Sequence, residues 1–273
     1  MGSPCELLCE AGSARDAKKL TELVAAEAWR IEEKLSRYIN GNIIDQINSA
    51  AGKPVTVDAE TSLLLDFAGT LYSMSDAAFD ITSGVLRRAW TFDGSDNVPS
   101  KSDVKALLSL VGWDKADWQA PILILPAEMQ VDLGGVGKEY AVDRAVGILR
   151  SKGSTPCLVN FGGDLAVTGP PKMRKAWAVG IEPVDNSVKL IELRHGALAT
   201  SGDARRFLMK DGIRYGHVID PRTGWPVEEA PSSITVAADT CTQAGMLSTL
   251  AMLKGPSAEQ FLDSQTEKYW CSR

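Results

Sequence analysis

The sequence predicts an α+β fold: one compact unit over residues 1–273, with a largely antiparallel or mixed sheet core flanked by helices. Three observations carry that expectation. Hydrophobic residues make up 44% of the chain and charged residues 23%, enough to bury a real core and keep a wet surface. Apolar residues in the first third recur at three- and four-residue steps, the helical period. From about Pro121 onward, short runs rich in Val and Ile follow one another between Gly, Pro and Asp, mostly without a helix between them. That order favours antiparallel pairing over a doubly wound parallel sheet.

Taken in order, Cys5–Cys9 reads as a strand. Leu20, Leu23, Val24, Ile31 and Leu35 then form one face of a helix over 16–35, and Ser13 with Asp16 stand as a capping box at its start. Asn40-Gly41-Asn42 and Gly52-Lys53-Pro54 punctuate the next stretch. A second helix follows over 59–73, with Leu64, Leu65, Ala68, Leu71 and Tyr72 inward. Strands are expected at 122–125, 157–161, 176–181, 188–193, 215–219 and 234–238, interrupted by helices at 137–151 and 242–253. No internal repeat, low-complexity tract or linker divides the chain.

Composition excludes several classes of function. The least polar stretches, Ala120–Ala127 and Ala244–Leu253, are about half the ~20 residues that a spanning helix needs. A net charge of −6 argues against a protein that works by neutralising nucleic-acid phosphates. Five cysteines without C-x-x-C spacing, beside only two histidines, make a poor zinc site; they fit reduced thiols or a single bridge. Met1 leads directly into Gly2-Ser3-Pro4, with no basic and then apolar region of a secretion signal.

Five segments spend glycine, hydroxyls and charge beyond what folding asks. In Val131-Asp132-Leu133-Gly134-Gly135-Val136-Gly137-Lys138-Glu139, a strand ending at Asp132 would run through glycines into a helix start, where unpaired N–H groups and the helix dipole favour anions. A tight turn with a solvated Lys138 fits the same string. A phosphate loop of the Walker type does not, because Asp132 and Glu139 stand where Gly and Ser or Thr are needed. Asn160-Phe161-Gly162-Gly163-Asp164 fits either a ligand loop or a hairpin turn. Ala199-Thr200-Ser201-Gly202-Asp203-Ala204-Arg205-Arg206 fits either a phosphate grip or a hairpin with wet arginines. His217, before the turn Asp220-Pro221-Arg222-Thr223-Gly224, reads as a core histidine or as a base. Ala78-Phe79-Asp80-Ile81-Thr82, behind Ser36-Arg37-Tyr38, is bland alone.

In this order the segments resemble the ApbE family, the FAD:protein FMN transferases. The likeness runs from Met1-Gly2-Ser3 through Ser36-Arg37-Tyr38, the segment at Asp80, the Asp132 glycine turn, Asn160–Asp164 and Thr200–Asp203 to His217-Val218-Ile219-Asp220-Pro221. The resemblance implies transfer of the FMN half of FAD to a Thr or Ser hydroxyl of an acceptor flavoprotein, with release of AMP. It implies FAD contacts at Met1, Tyr38, Ala78, Phe79, Asp80, Asp132, Lys138 and Ile219, and a general base at His217. His195 lies outside every motif and reads as structural. The family's Mg²⁺ maps to the backbone carbonyl of Gly135 and to Thr249, while the Asp expected one turn before Thr249 is Gly245. That loss weakens the expected metal site, because Mg²⁺ is normally held by one or two carboxylates plus substrate phosphates. Two alternatives stand beside transfer: FAD pyrophosphatase activity, yielding FMN and AMP, and FAD binding without catalysis. The resemblance also implies a periplasmic setting, an acceptor among membrane redox subunits, and a native chain that begins upstream of Met1 with a secretion signal.

Overall fold

A computed structural model describes residues 2–181, 189–202 and 207–273. The chain begins with β1 (Cys5–Cys9), α1 (Ala14–Leu35), α2 (Ile43–Ser49), β2 (Pro54–Thr56) and α3 (Ala59–Met74). A 3-10 segment at Ile81–Arg88 leads to α4 (Lys101–Leu108), β3 (Asp117–Gln119), β4 (Ile122–Ile124) and α5 (Gly137–Ser151). Then come β5 (Cys157–Phe161), β6 (Asp164–Val167), β7 (Trp177–Ile181), β8 (Lys189–Leu193), β9 (Ala197–Gly202), β10 (Phe207–Lys210) and β11 (Ile213–Gly216). β12 (Ile219–Asp220), β13 (Trp225–Pro226), β14 (Ser233–Ala238), α6 (Cys241–Leu253), α7 (Ala258–Asp263) and β15 (Lys268–Ser272) complete it.

The main sheet has the order β1-β5-β6-β9-β14-β15, and every pairing in it is antiparallel. Alternation along the strands divides its two faces. Cys157, Val159, Phe161, Ala166, Ala197, Ala199, Ile234 and Val236 face the principal core, which also takes residues of α1, α3, α5 and α6. Leu158, Leu165, Val167 and Leu198 face the other way, where Trp177 and Val179 of the β7–β8 hairpin cover them. On that face β6 and β9 carry only alanines, Ala166, Ala197 and Ala199, and α6 lies against β9 and β14; nine of its residues are buried.

A second, smaller core gathers Val85, Leu86, Trp90, Val104, Val111 and Leu208, with Tyr215, Ile219 and Trp225 packed on it. It fastens the His217 region to the segment that follows Asp80.

Several expectations are met closely: helices at Ala14–Leu35, Ala59–Met74, Gly137–Ser151 and Cys241–Leu253, and strands at Cys5–Cys9, Cys157–Phe161 and Ser233–Ala238. Others are corrected. The expected strand at 215–219 is broken, with His217 and Val218 between β11 and β12. Asp132 is not at a strand end; it lies in a loop whose backbone N–H reaches the Ile81 carbonyl at 2.8 Å. Ala197–Gly202 is not a wet hairpin but an internal strand of the main sheet. Asp203, Ala204, Arg205 and Arg206 lie outside the described residues. All five cysteines are free thiols.

Candidate active site

The His217 cleft is built by its turn. Asp220 accepts hydrogen bonds from the Arg222 backbone N–H at 2.9 Å and from the Arg222 guanidinium at 2.7 Å, and its carbonyl receives the Gly224 N–H at 2.8 Å. Gly224 sits at φ +72°, and a Cβ there would stand 2.6 Å from Val104 Cγ1. Only glycine meets both demands. Its carbonyl accepts the indole N–H of Trp90 at 2.9 Å. Trp90 stacks on Phe92 at 5.6 Å and meets Trp225 edge-on at 5.2 Å. Phe92 in turn meets the His217 ring edge-on at 6.3 Å. The elaborate turn thus holds the histidine against an aromatic wall.

The cleft, about 380 Å³, is lined by Arg37, Tyr38, Arg87, Arg88, Trp90 and His217, among others. Tyr38 is 76% exposed, so its ring is open to stack on a planar ligand. Arg37 lies over that ring at 5.7 Å and also donates to Asp132 at 3.2 Å and to the Gly84 carbonyl at 2.8 Å. Arg87 approaches the same Asp132 oxygen at 3.7 Å. The other oxygen of Asp132 accepts the Gly134 N–H at 2.9 Å and shapes the glycine turn. Asp132 therefore joins the cleft to the start of α5.

A second cluster lies there. Among the described residues no side chain caps the α5 N-terminus. Lys138, in its first turn, forms an ion pair with Asp164, which is 1% exposed. Burial pulls the Lys138 ammonium down, but the Asp164 and Glu139 carboxylates more than offset it and hold the group charged. Asn160–Asp164 is a hairpin turn: Phe161 pairs with Asp164, Gly162 and Gly163 sit at φ +65° and +98°, and Asn160 accepts the Gly163 N–H at 2.9 Å. The turn is at once structural and functional, because it delivers Asp164 to Lys138 and to the Thr200 N–H at 3.0 Å. Glu139 is buried beside Gly245, and its acid is raised above the usual carboxylate range, first by burial and then by the charge of Asp164. Burial and the same two carboxylates push the Cys241 thiol up, so it stays protonated. Thr249 presents its hydroxyl 3.1 Å from Ser201.

Among the expected contacts, Tyr38 and His217 share one cleft, Asp132 borders it, and Lys138 heads the neighbouring cluster. Phe79 packs under the glycine turn, 3.2 Å from where a Gly135 Cβ would stand. Ala78 is buried, and Asp80 is consumed by Thr82 and by the Trp113 N–H, so its carboxylate is not free to meet a ligand. Ile219 packs its side chain into the Trp90 core. Met1 lies outside the described residues. Arg87 and Arg88 lie outside every sequence motif, whereas Asp164 and Glu139 stand within motifs that gave them no role of their own. One signal was present for Glu139: it falls on the same stripe as Val142, Val146 and Leu149, where a charge does not belong without a reason.

A family model for the ApbE family matches residues 1–270. The chain belongs to the ApbE family. Curated relatives named FAD:protein FMN transferase include one from Salmonella typhimurium, 31% identical over 263 residues, covering 90% of this chain and 75% of that protein. Another, from Vibrio cholerae, is 30% identical over 250 residues, covering 88% and 75%. Among solved structures, the ApbE protein of Thermotoga maritima superposes with a TM-score of 0.89 at 29% identity, covering 99% of this chain and 91% of that one. The flavinyl transferase ApbE of Pseudomonas stutzeri gives 0.83 at 25% identity, covering 98% and 91%.

Proposed function

We propose that this chain is an FAD:protein FMN transferase, joining the FMN half of FAD to a Thr or Ser hydroxyl of an acceptor flavoprotein and releasing AMP. One observation carries the reading: Tyr38, the Trp90–Phe92 wall, three arginines and His217 line a single cleft. Aromatic faces suit a flavin, and guanidinium forks suit its diphosphate.

In this reading the acceptor hydroxyl forms a bond to the flavin-side phosphorus while the bond from that phosphorus to the AMP oxygen breaks. His217 takes the hydroxyl proton, and AMP leaves with the electron pair. The chain's part is largely positioning and charge. Arg37, Arg87, Arg88 and Lys138 supply positive charge. Asp132 holds Arg37 and the glycine turn in register. Because the Ala78 and Phe79 side chains are buried and the Asp80 carboxylate is engaged, contacts of these three residues with FAD run through their backbone, whereas Ile219 is half-buried.

The oxygen donors suit Mg²⁺: the Gly135 carbonyl, the Thr249 hydroxyl and, beside Gly245 one turn before Thr249, a buried Glu139 oxygen that meets no N–H or hydroxyl donor among the described residues. When bound, the ion would offset charge on the diphosphate. No helix among the described residues is long and apolar enough to cross a membrane. The acceptor class and the periplasmic setting rest on the family resemblance.

The test is to incubate the protein with FAD, Mg²⁺ and an acceptor flavoprotein, reading in-gel flavin fluorescence and AMP. Transfer labels the acceptor. Free FMN with AMP instead marks a pyrophosphatase, and neither product marks a binding protein. His217→Ala should slow labelling by ~10²–10⁴-fold with FAD affinity changed only a few-fold. Equal losses in both would make His217 a wall of the pocket.

A further inference from the structure

Beside Gly245 of α6 stands a carboxyl group carried by α5, that of Glu139. A Cβ on Gly245 would stand 2.5 Å from Glu139 Cγ and 3.1 Å from both its Cδ and Oε1. Glu139 thus occupies the room that a side chain at 245 would need. It is 8% exposed, and its buried Oε2 meets no N–H or hydroxyl donor among the described residues; the group it faces is the Asp164 carboxylate, another acid. A buried acid left in that state is costly unless something positive or protonated meets it. The nearby Lys138 is already paired to Asp164, leaving two carboxylates with one ammonium between them.

The helix bearing Gly245 is fixed against α5 by a separate device. Asp143, one turn after Glu139, accepts the Cys241 and Thr242 N–H groups at 2.8 Å each and the Thr242 hydroxyl at 2.6 Å. That clamp sets Glu139 opposite Gly245, with Thr249 one turn further along α6.

We propose that Glu139 supplies the carboxylate of the divalent-cation site, reaching from α5 into the space left open by Gly245, so that the acidic ligand has moved from one helix to the other. The Gly135 carbonyl, two residues before the start of α5, and the Thr249 hydroxyl on α6 complete the protein donors. The proposal rests on the flavin-diphosphate reading of the site for its remaining ligands.

The experiment measures Mn²⁺ uptake in the presence of FAD, from the electron paramagnetic resonance signal of free Mn²⁺, together with circular dichroism and melting. Glu139→Gln, nearly isosteric, should weaken Mn²⁺ by roughly 10–100-fold while the fold is kept. Gly245→Asp alone should melt lower without metal and gain no affinity, since its Cβ meets the Glu139 stem. The double change Glu139→Gly with Gly245→Asp should bring Mn²⁺ affinity back to within a few-fold of the wild type.

The proposal is overturned if folded Glu139→Gln keeps wild-type affinity, or if the wild type takes up no Mn²⁺. Should Glu139→Gln misfold, the double variant decides: regained binding supports the exchange and absent binding overturns it. Flavin transfer by the wild type, read on the same preparation, keeps the two readings apart. Transfer with an unaffected Glu139→Gln sinks only the ligand assignment. Loss of Mn²⁺ in Glu139→Gln without any transfer by the wild type sinks only the proposed function.

Discussion

Gly224 shows how much a single missing side chain can hold. Its positive φ, its carbonyl bonded to Trp90 and the 2.6 Å that would separate a Cβ from Val104 all act at one point. Gly224→Ala should therefore cost about 1–3 kcal/mol, from overpacking and left-handed strain together, and chemical denaturation measures it. Because Trp90 and Phe92 form the wall beside His217, the same variant should lose transfer activity at temperatures where it is still folded. An unchanged midpoint would mean that the turn yields freely. Gly245 makes the opposite point: it is glycine in a helix interior at φ < 0, kept open by the neighbour that fills its place.

Between elements, the α5–α6 contact is the joint on which the metal-side cluster depends. Asp143 caps α6 across the interface while Thr240 caps it locally, accepting the Gln243 N–H at 3.1 Å. Two caps on one helix start leave few of its N–H groups unpaired. Asp143→Ala should lower stability by about 1–2 kcal/mol, within the range for lost N-caps, as read by urea unfolding. It should also weaken Mn²⁺ uptake although the residue is not a ligand, because Glu139 and Thr249 lose their register. Rescue of uptake by Asp143→Asn, which keeps an accepting oxygen, separates positioning from charge.

Across the whole molecule, one network ties α1, α3 and α5 together. Arg30 bonds Glu27 at 2.8 Å and Glu60 at 2.7 Å, Lys34 bonds Glu60 and Asp58 at 2.6 Å, and Tyr140 donates to Glu60 at 2.8 Å. Glu60 is held well below the usual carboxylate range, chiefly by Arg30. Asp58 is lowered to about 2: burial opposes the shift, and the Lys34 and Thr61 hydrogen bonds overcome it. A carboxylate depressed on folding stabilises the native state above its unfolded pKa and loses that contribution as pH falls through the folded value. Stability should therefore decline as pH drops from ~4.5 toward 2. Glu60→Gln should flatten that decline and cost ~1–2 kcal/mol at pH 7, the lower part of the range for charged hydrogen bonds because Arg30 is 40% exposed. Thermal melts across pH check both, and an unaltered slope would place the acid sensitivity elsewhere.

Periodicity sufficed for the elements whose burial is one-sided. α1, α3 and α5 carry apolar stripes, and β5 and β14 are dense in β-branched or other apolar residues, so their type follows from local chemistry. The pattern does not announce α2 and α4, which are seven and eight residues long and take their order from neighbours. Ordered motifs likewise brought Tyr38, Asp132, Lys138 and His217 into view without coordinates. What linear order does not carry is which groups meet. That Asp80 spends its carboxylate on Trp113, that Ala199–Gly202 is internal strand, and that Arg87 joins Arg37 at Asp132 all depend on contacts between distant parts of the chain. Glu139 and Gly245 lie 106 positions apart; the string shows only an acid missing at Gly245, and packing of α5 on α6 is what sets Glu139 beside it.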